Sequence, residues 1–191
     1  MTKKLGADAD LYIGYAVEGA QRMEHLIKDL LAYTQVSTVS DEPITLADAD
    51  ESLQSALSLL RRAINESKAS ITYDSLPPVR MHRVHLEQLF QNLIGNAIKY
   101  RSNRQPQIRI HAERRATERL FSVEDNGIGI DPQYRDQIFG IFKRLHSPTE
   151  YPGTGIGLAI CQNIVQRYGG RIWVESELRH GATFFFTVPE Q

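Results

Sequence analysis

At 191 residues the chain has room for one full domain and a smaller appendage, with a core large enough to need no disulfide or metal staple. Its 22 Lys and Arg balance 23 Asp and Glu to a net charge of -1, which excludes a global basic field for nucleic acid or an anionic membrane; any bound anion must be held locally. The lone cysteine, Cys161, excludes an internal disulfide and is expected to pack in a reducing compartment, and no apolar run reaches the ~18 residues a membrane span needs, so the expected location is the cytoplasm.

From Leu11 to Val36, apolar residues recur at Tyr12, Ala16, Gly19, Met23, Leu26, Leu30 and Tyr33, which predicts a long amphipathic helix. A second stripe of Ile13, Val17, Ala20, Ile27 and Leu31 widens its apolar surface, while Glu18, Arg22, His25 and Asp29 fall on the other side. Such a surface favours a partner helix over packing on the rest of this chain alone. Thr38 to Asp41, with Pro43 behind them, break the helix and divide the chain into an appendage, 1–40, and a main domain, 41–191.

The main domain reads as mixed α and β. Ile44 to Leu46 is a short predicted strand, Asp50 to Glu66 a helix, and Ile71 to Asp74 another strand, closed by Pro77-Pro78. A helix from Val84 to Tyr100 turns Leu86, Leu89, Phe90, Leu93, Ile94 and Ala97 inward. Strands follow at Gln107 to Glu113 and Leu120 to Glu124, then a helix from Ile156 to Tyr168 and strands at Arg171 to Ser176 and Thr183 to Val188.

Four motifs carry chemistry. Asn92 and Asn96 stand one turn apart on one helix, with Lys99 and Tyr100 a turn further on. Amide oxygens suit a Mg²⁺ already held by phosphate, and an ammonium suits phosphate oxygens; the alternative is a solvated helix face. Asp125-Asn126-Gly127-Ile128-Gly129-Ile130 puts a carboxylate where a strand ends, able to accept from an exocyclic amine, with an ordinary turn as the alternative. Gly153-Thr154-Gly155-Ile156-Gly157-Leu158 runs into a helix, so its free backbone amides make an anion site suited to a triphosphate. Gly181-Ala182-Thr183-Phe184 enters the last strand, where Thr183 offers a hydroxyl to a base edge or serves as a β-branched strand residue.

Between the glycine clusters, Phe139-Gly140-Ile141-Phe142-Lys143-Arg144-Leu145-His146 and a polar stretch through Pro148, Glu150 and Pro152 read as a helix end leading into a lid anchored by two aromatics. Lys143 and Arg144 are expected to swing toward phosphate, or else to form a solvated edge beside a core phenylalanine pair. Neither glycine cluster has the spacing of a P-loop or of a dinucleotide-binding turn, and no His-Arg-Asp loop is present.

Together these motifs, from Pro43 to Pro189, closely resemble the catalytic domain of sensor histidine kinases within the Bergerat-type ATPase group. Asn92 to Tyr100 is similar to that family's N box, Asp125 to Ile130 to its first glycine box, Phe139 to Phe142 to its F box, Gly153 to Leu158 to its second glycine box and Gly181 to Thr183 to the last. The resemblance implies a two-layer α/β sandwich, a mixed sheet covered by helices, preceded by the long helix. It implies ATP and Mg²⁺ as cofactors, with Asp125 reading the adenine amine, Asn96 coordinating Mg²⁺, Asn92 ordering the metal's water shell and Lys99 meeting phosphate as the catalytic set. Tyr100, Arg144 and His146 would flank the nucleotide, within a binding set that includes Gly127, Gly129, Ile130, Phe142, Gly153, Thr154, Gly155, Ile156, Gly157, Leu158 and Thr183. Arg144-Leu145-His146 and the run Gly153 to Cys161 look most like phytochrome-type sensor kinases.

The helix 11–36 is similar to the second helix of the family's dimerisation and phosphotransfer hairpin. The family's acceptor histidine is followed by an acidic residue and, a little later, a proline, whereas the six here precede Leu26, Arg83, Leu86, Ala112, Ser147 and Gly181. His25, on the polar face near Asp29, reads as a surface residue, and His82 with His85 lacks the further ligands of a metal site. The expected function is phosphoryl transfer from ATP to a histidine on a helix of the parent protein or a second subunit, in two-component signalling. The expected partners are a response-regulator receiver domain and a homodimer mate through helix 11–36, with no nucleic acid. The alternatives are a non-catalytic nucleotide-binding and interaction module, or a protein-serine kinase of the same ATPase group.

Overall fold

The computed structural model describes residues 7–38, 43–147 and 150–190. The expected break at 39–41 and the lid residue Pro148 lie outside the described residues. The long helix, α1, runs over Ala7–Thr38. After it come β1 (Leu46–Ala47), α2 (Ala49–Leu59), α3 (Arg61–Ser67), β2 (Ser70–Tyr73), β3 (Val79–Arg80), α4 (Arg83–Lys99), β4 (Gln107–Arg114) and β5 (Glu118–Asp125). The chain closes with α5 (Gly157–Arg167), β6 (Ile172–Glu177) and β7 (Gly181–Pro189).

Five strands form one sheet in the order β2-β4-β5-β7-β6, with β2 parallel to β4 and the other pairs antiparallel. Side chains alternate across a strand, so Ile108 and Ile110, Phe121 and Val123, and Phe184, Phe186 and Val188 all turn to one face. Helices α2, α4 and α5 cover that face with Leu53, Leu86, Leu89, Phe90, Leu93, Ile160 and Ile164. At its centre Phe121 stacks on Phe186 with ring centroids 4.8 Å apart, and Phe90 meets both rings edge-on. Each buried phenylalanine contributes about 1.5–3 kcal/mol of transfer free energy. The fold is the two-layer α/β sandwich expected from the sequence.

Local departures have local causes. The predicted helix 50–66 is two helices that meet at Leu60, whose backbone (φ -88°, ψ 0°) departs from helical geometry. Strand β1 sits at Leu46–Ala47, one residue later than the predicted strand's centre, and pairs antiparallel with β3, which the Pro77-Pro78 punctuation concealed. The stretch leading into the lid holds two single-turn 3-10 segments, Pro132–Tyr134 and Gln137–Phe139, too short to leave a periodic pattern.

The long helix divides its apolar surface in two. Its last turns pack on α5 through Leu26, Ala32, Tyr33 and buried Val36. There Asn163 Nδ2 donates to the Tyr33 carbonyl at 3.1 Å and Arg167 to the Val36 carbonyl at 2.6 Å. Leu11, Tyr12, Ile13, Tyr15 and Val17, with Ile27 and Leu31, stay exposed. Both packing on this chain and an exposed apolar surface are therefore present, the exposed one covering the first turns and, at the last turns, the side of Ile27 and Leu31.

Candidate nucleotide-binding site

Strand β5 ends on Asp125, and the chain then doubles back through a loop held at several points. Ile128 donates its N–H to the Tyr100 carbonyl at 3.0 Å, the Ile128 carbonyl accepts from the Arg179 N–H at 2.7 Å, and Ile130 donates to Ser176 Oγ at 2.8 Å. The Asn126 side chain bonds Gln105 and Gln107 and seals the base of the turn. Gly129 has φ +72°, and a Cβ there would lie 2.1 Å from the Glu177 carbonyl oxygen. Only glycine allows that approach.

Asp125 forms one wall of a small apolar cavity that is open at its mouth. Ile128, Ile130, Ile138, Leu145, Leu158, Ala182 and Phe184 supply the apolar lining. Asp125 Oδ1 accepts the backbone N–H groups of Gly127 at 2.8 Å and Ala182 at 3.3 Å; Oδ2 has no partner among the described residues. Burial pushes the carboxyl up to about 6, partly offset by those two backbone donors. A half-buried acceptor with a spare oxygen in an apolar slot suits a flat heterocycle bearing an exocyclic amine.

The cavity opens onto a wider, polar groove. Asn96, Tyr100, Lys143, Arg144 and Leu158 border both, and Asn92, Lys99, Gly153, Thr154, Gly155 and Gly157 line the groove alone. Helix α5 starts at Gly157 with no side-chain cap, so its first backbone N–H groups face an anion site. Lys99 Nζ lies over the Tyr100 ring, 4.3 Å from its centroid. Asn92 Nδ2 is buried without a hydrogen-bond partner, and a Cβ at Gly157 would sit 3.2 Å from Asn92 Oδ1. The Asn92 amide also lies beside Cys161, a fully buried thiol that burial pushes up to about 12, so the cysteine is inert packing.

Most of the predicted site residues thus converge on one cleft, but four do not line it; one of them, Gly127, is buried and reaches the site only through its backbone N–H on Asp125 Oδ1. Phe142 is 58% exposed at φ +62°, because the tight turn closed by Lys143 N–H on the Gly140 carbonyl points its ring outward; Phe139 alone is the buried anchor. Thr183 lies between Glu124 and Glu175 on the sheet face away from the cavity, where strand alternation gives the lining positions to Ala182 and Phe184. Ile156 is fully buried beneath the loop. Arg144 does not reach into the groove as a free cation; it holds the lid by donating to the carbonyls of Gly153 and Tyr151.

Tyr151 carries no sequence signal and still joins the site. Its ring centroid lies 5.0 Å from Tyr100 and 5.1 Å from His146, forming an aromatic cluster over the cavity mouth. Ser176 is a second unforeseen member, buried under the Asp125 loop and bonded to the Gly181 carbonyl at 2.6 Å. His25, exposed, lines the groove with Asp29, while His82 and His85 pack edge-on against each other and Tyr168 well outside the cleft's lining.

Comparison with known proteins agrees with this geometry. Residues 81–191 match the family described as histidine kinase-, DNA gyrase B-, and HSP90-like ATPase. The chain is 55% identical to cyanobacterial phytochrome A of Nostoc sp. over 97% of its own length and 24% of that protein's. It is 44% identical to the phytochrome-like protein Cph1 of Synechocystis sp. over 98% of its length and 25% of that protein's, so it spans about a quarter of these relatives. Full-length ShkA, solved in complex with AMPPNP, superposes with a TM-score of 0.75 at 26% identity, covering 98% of this chain and 40% of that one. The chain belongs to the histidine kinase-, DNA gyrase B- and HSP90-like ATPase family, and within it is a catalytic domain of the sensor histidine kinase type.

Proposed function

We propose that this domain binds Mg-ATP and presents its terminal phosphate to a histidine on a helix of the parent protein or of a second subunit. The observation that carries this reading is the polarity of the cleft: a half-buried, half-satisfied Asp125 in an apolar slot at one end, and Lys99 with the open α5 N-terminus at the other. Asp125 Oδ2 accepts from the adenine amine, Tyr100 and His146 close over the base, and Lys99 with the loop amides of Gly153 to Gly157 binds the phosphates. In the transfer a histidine nitrogen bonds to the terminal phosphorus as the bond to the β,γ-bridging oxygen breaks, and ADP leaves with that electron pair. The domain contributes positioning and charge stabilisation.

The residues present fit a magnesium ion. Asn92 and Asn96 offer neutral oxygen ligands at the phosphate end, and Asn92 Oδ1 lies toward the Gly157 turn. Asn96 would hold the ion and Asn92 its water shell, and the ion would neutralise phosphate charge. Among the described residues no helix is long and apolar enough to cross a membrane. The exposed apolar turns of α1 support a further part of this reading, a dimer or partner helix seated on Leu11 to Val17, with a response-regulator receiver domain as the downstream partner.

The test mixes the protein with Mg-ATP and a peptide supplying the acceptor helix, and follows acid-labile phosphate. Label on the peptide is expected. Label on this chain, or acid-stable phosphoserine on a partner, would overturn the transfer reading, and calorimetry showing no ATP binding would overturn the site itself.

A further inference from the structure

Helix α1 reaches the phosphate end of the cleft. Asp29, half-buried, accepts a short hydrogen bond through Oδ2 from Thr154 Oγ1, joining residues 125 positions apart. Thr154 sits between Gly153 (φ +143°) and Gly155 (φ +79°), two left-handed glycines that let this loop change shape with little steric cost. Gln21, Arg22 and His25 of the same helix face share the groove with Asn92, Asn96 and Lys99. One turn further along, Tyr33 and Val36 hold α1 to α5, the helix that the Gly153 to Gly157 loop enters. A carboxylate therefore stands in the groove otherwise built for anions, and it occupies a loop hydroxyl.

We propose that Asp29 is a latch that opposes nucleotide binding: it pins the phosphate loop to α1 through Thr154 and sets a negative charge against the incoming polyphosphate. The inference rests on the ATP reading above and adds its regulation. Two physical effects act in one direction. Phosphate oxygens compete with Asp29 for Thr154 and the loop amides, and two anions in one partly dehydrated groove repel. Because binding couplings are reciprocal, bound ATP must weaken the docking of α1 by the same factor by which α1 weakens ATP. A movement of α1 driven from elsewhere in the protein would then open the site, and ATP would in turn release the helix.

The experiment measures nucleotide affinity by calorimetry for the full chain and for Asp29→Ala and Asp29→Asn, with ATP and with adenosine. Asp29 lies on the helix surface at the groove and outside the core, and alanine favours helix there, so the fold tolerates the change. Asp29→Ala is expected to bind ATP about fivefold more tightly, Asp29→Asn to fall between it and the natural chain, and adenosine affinity to stay unchanged because it carries no phosphate. Amide exchange over Leu26 to Val36 is expected to accelerate when ATP is added to the natural chain. Unchanged or weaker ATP binding by Asp29→Ala, or slower exchange of α1 with ATP, overturns the latch alone. A natural chain and variants that all bind adenosine and ATP to no degree overturn the ATP reading and the latch together.

Discussion

Asp125 Oδ1 accepts the backbone N–H of Ala182 at 3.3 Å, so the end of β5 and the start of β7 hold one carboxylate from two strands. The arrangement fixes the acid while leaving it poorly solvated, and its carboxyl is raised to about 6. A raised folded pKa means that the group's contribution to stability is present below its ordinary value near 3.8 and is lost as pH rises through about 6. Asp125→Asn should therefore raise the melting temperature of the nucleotide-free protein at pH 8 and leave it unchanged at pH 4, reflecting up to about 3 kcal/mol. The same variant should lose ATP affinity by roughly tenfold or more, as expected for a charged hydrogen bond worth about 1.5–3 kcal/mol. Thermal scans and calorimetry on one pair of proteins check both halves.

Nucleotide affinity should follow the ionisation of that carboxyl. The charged carboxylate accepts from the adenine amine more strongly than the neutral acid does, and a group titrating near 6 is mostly protonated at pH 5. Adenosine, which carries no titrating phosphate, should bind about tenfold more weakly at pH 5 than at pH 7, and Asp125→Asn should flatten the profile. A flat profile for the natural chain would remove Asp125 from base recognition.

Gly129→Ala should be severe. The position has φ +72°, and the added Cβ would fall 2.1 Å from the Glu177 carbonyl oxygen, a backbone atom that cannot swing aside. The expected loss is above about 2 kcal/mol of stability, measured by urea unfolding, together with weakened nucleotide binding because the loop carrying Asp125 must move.

Asn96→Ala separates nucleotide from metal. The residue borders both the apolar cavity and the polar groove and makes no side-chain hydrogen bond among the described residues. Its variant should bind ATP normally in EDTA, lose the affinity gained on adding Mg²⁺, and fail in phosphotransfer. Equal Mg²⁺ dependence in both proteins would exclude it as the ligand.

A second titration lies outside the cleft. The Tyr168 hydroxyl accepts the His82 backbone N–H at 3.0 Å and lies 2.7 Å from His85 Nδ1, so a neutral His85 ring protonated at Nε2 completes the pair by accepting the phenol proton. Burial, with the neighbouring His82 and Arg167 charges, holds His85 down at about 4. A depressed folded value makes this stability fully present above the ordinary histidine range near 6.5 and progressively lost as pH falls toward 4. In the Asp125→Asn background, where the opposing carboxyl is silent, the melting temperature should fall over that interval. Adding His85→Leu should shrink the fall.

The amino-acid sequence by itself determined the elements whose apolar period is long and clean, which is why α4, α5 and the four long strands stand where periodicity puts them. It also singled out Asn92, Asn96, Lys99 and Asp125 as candidates through their resemblance to a family's motifs, and the structure brings all four to one cleft. Short pieces escaped it: two-residue β3 and the 3-10 turns are held by tertiary contacts and leave no period of their own. Side-chain direction escaped it as well. Alternation along β7 gave the cavity to Ala182 and Phe184 and not to Thr183, which the run of Phe184, Phe186 and Val188 on one face does imply once the core face is known. Tyr151, Ser176 and Asp29 have no local signature, because each joins the cleft through a partner far away in the chain. Chemistry resides in residue types and was legible; the meeting of α1 with the phosphate loop is long-range packing, and only the tertiary structure decided it.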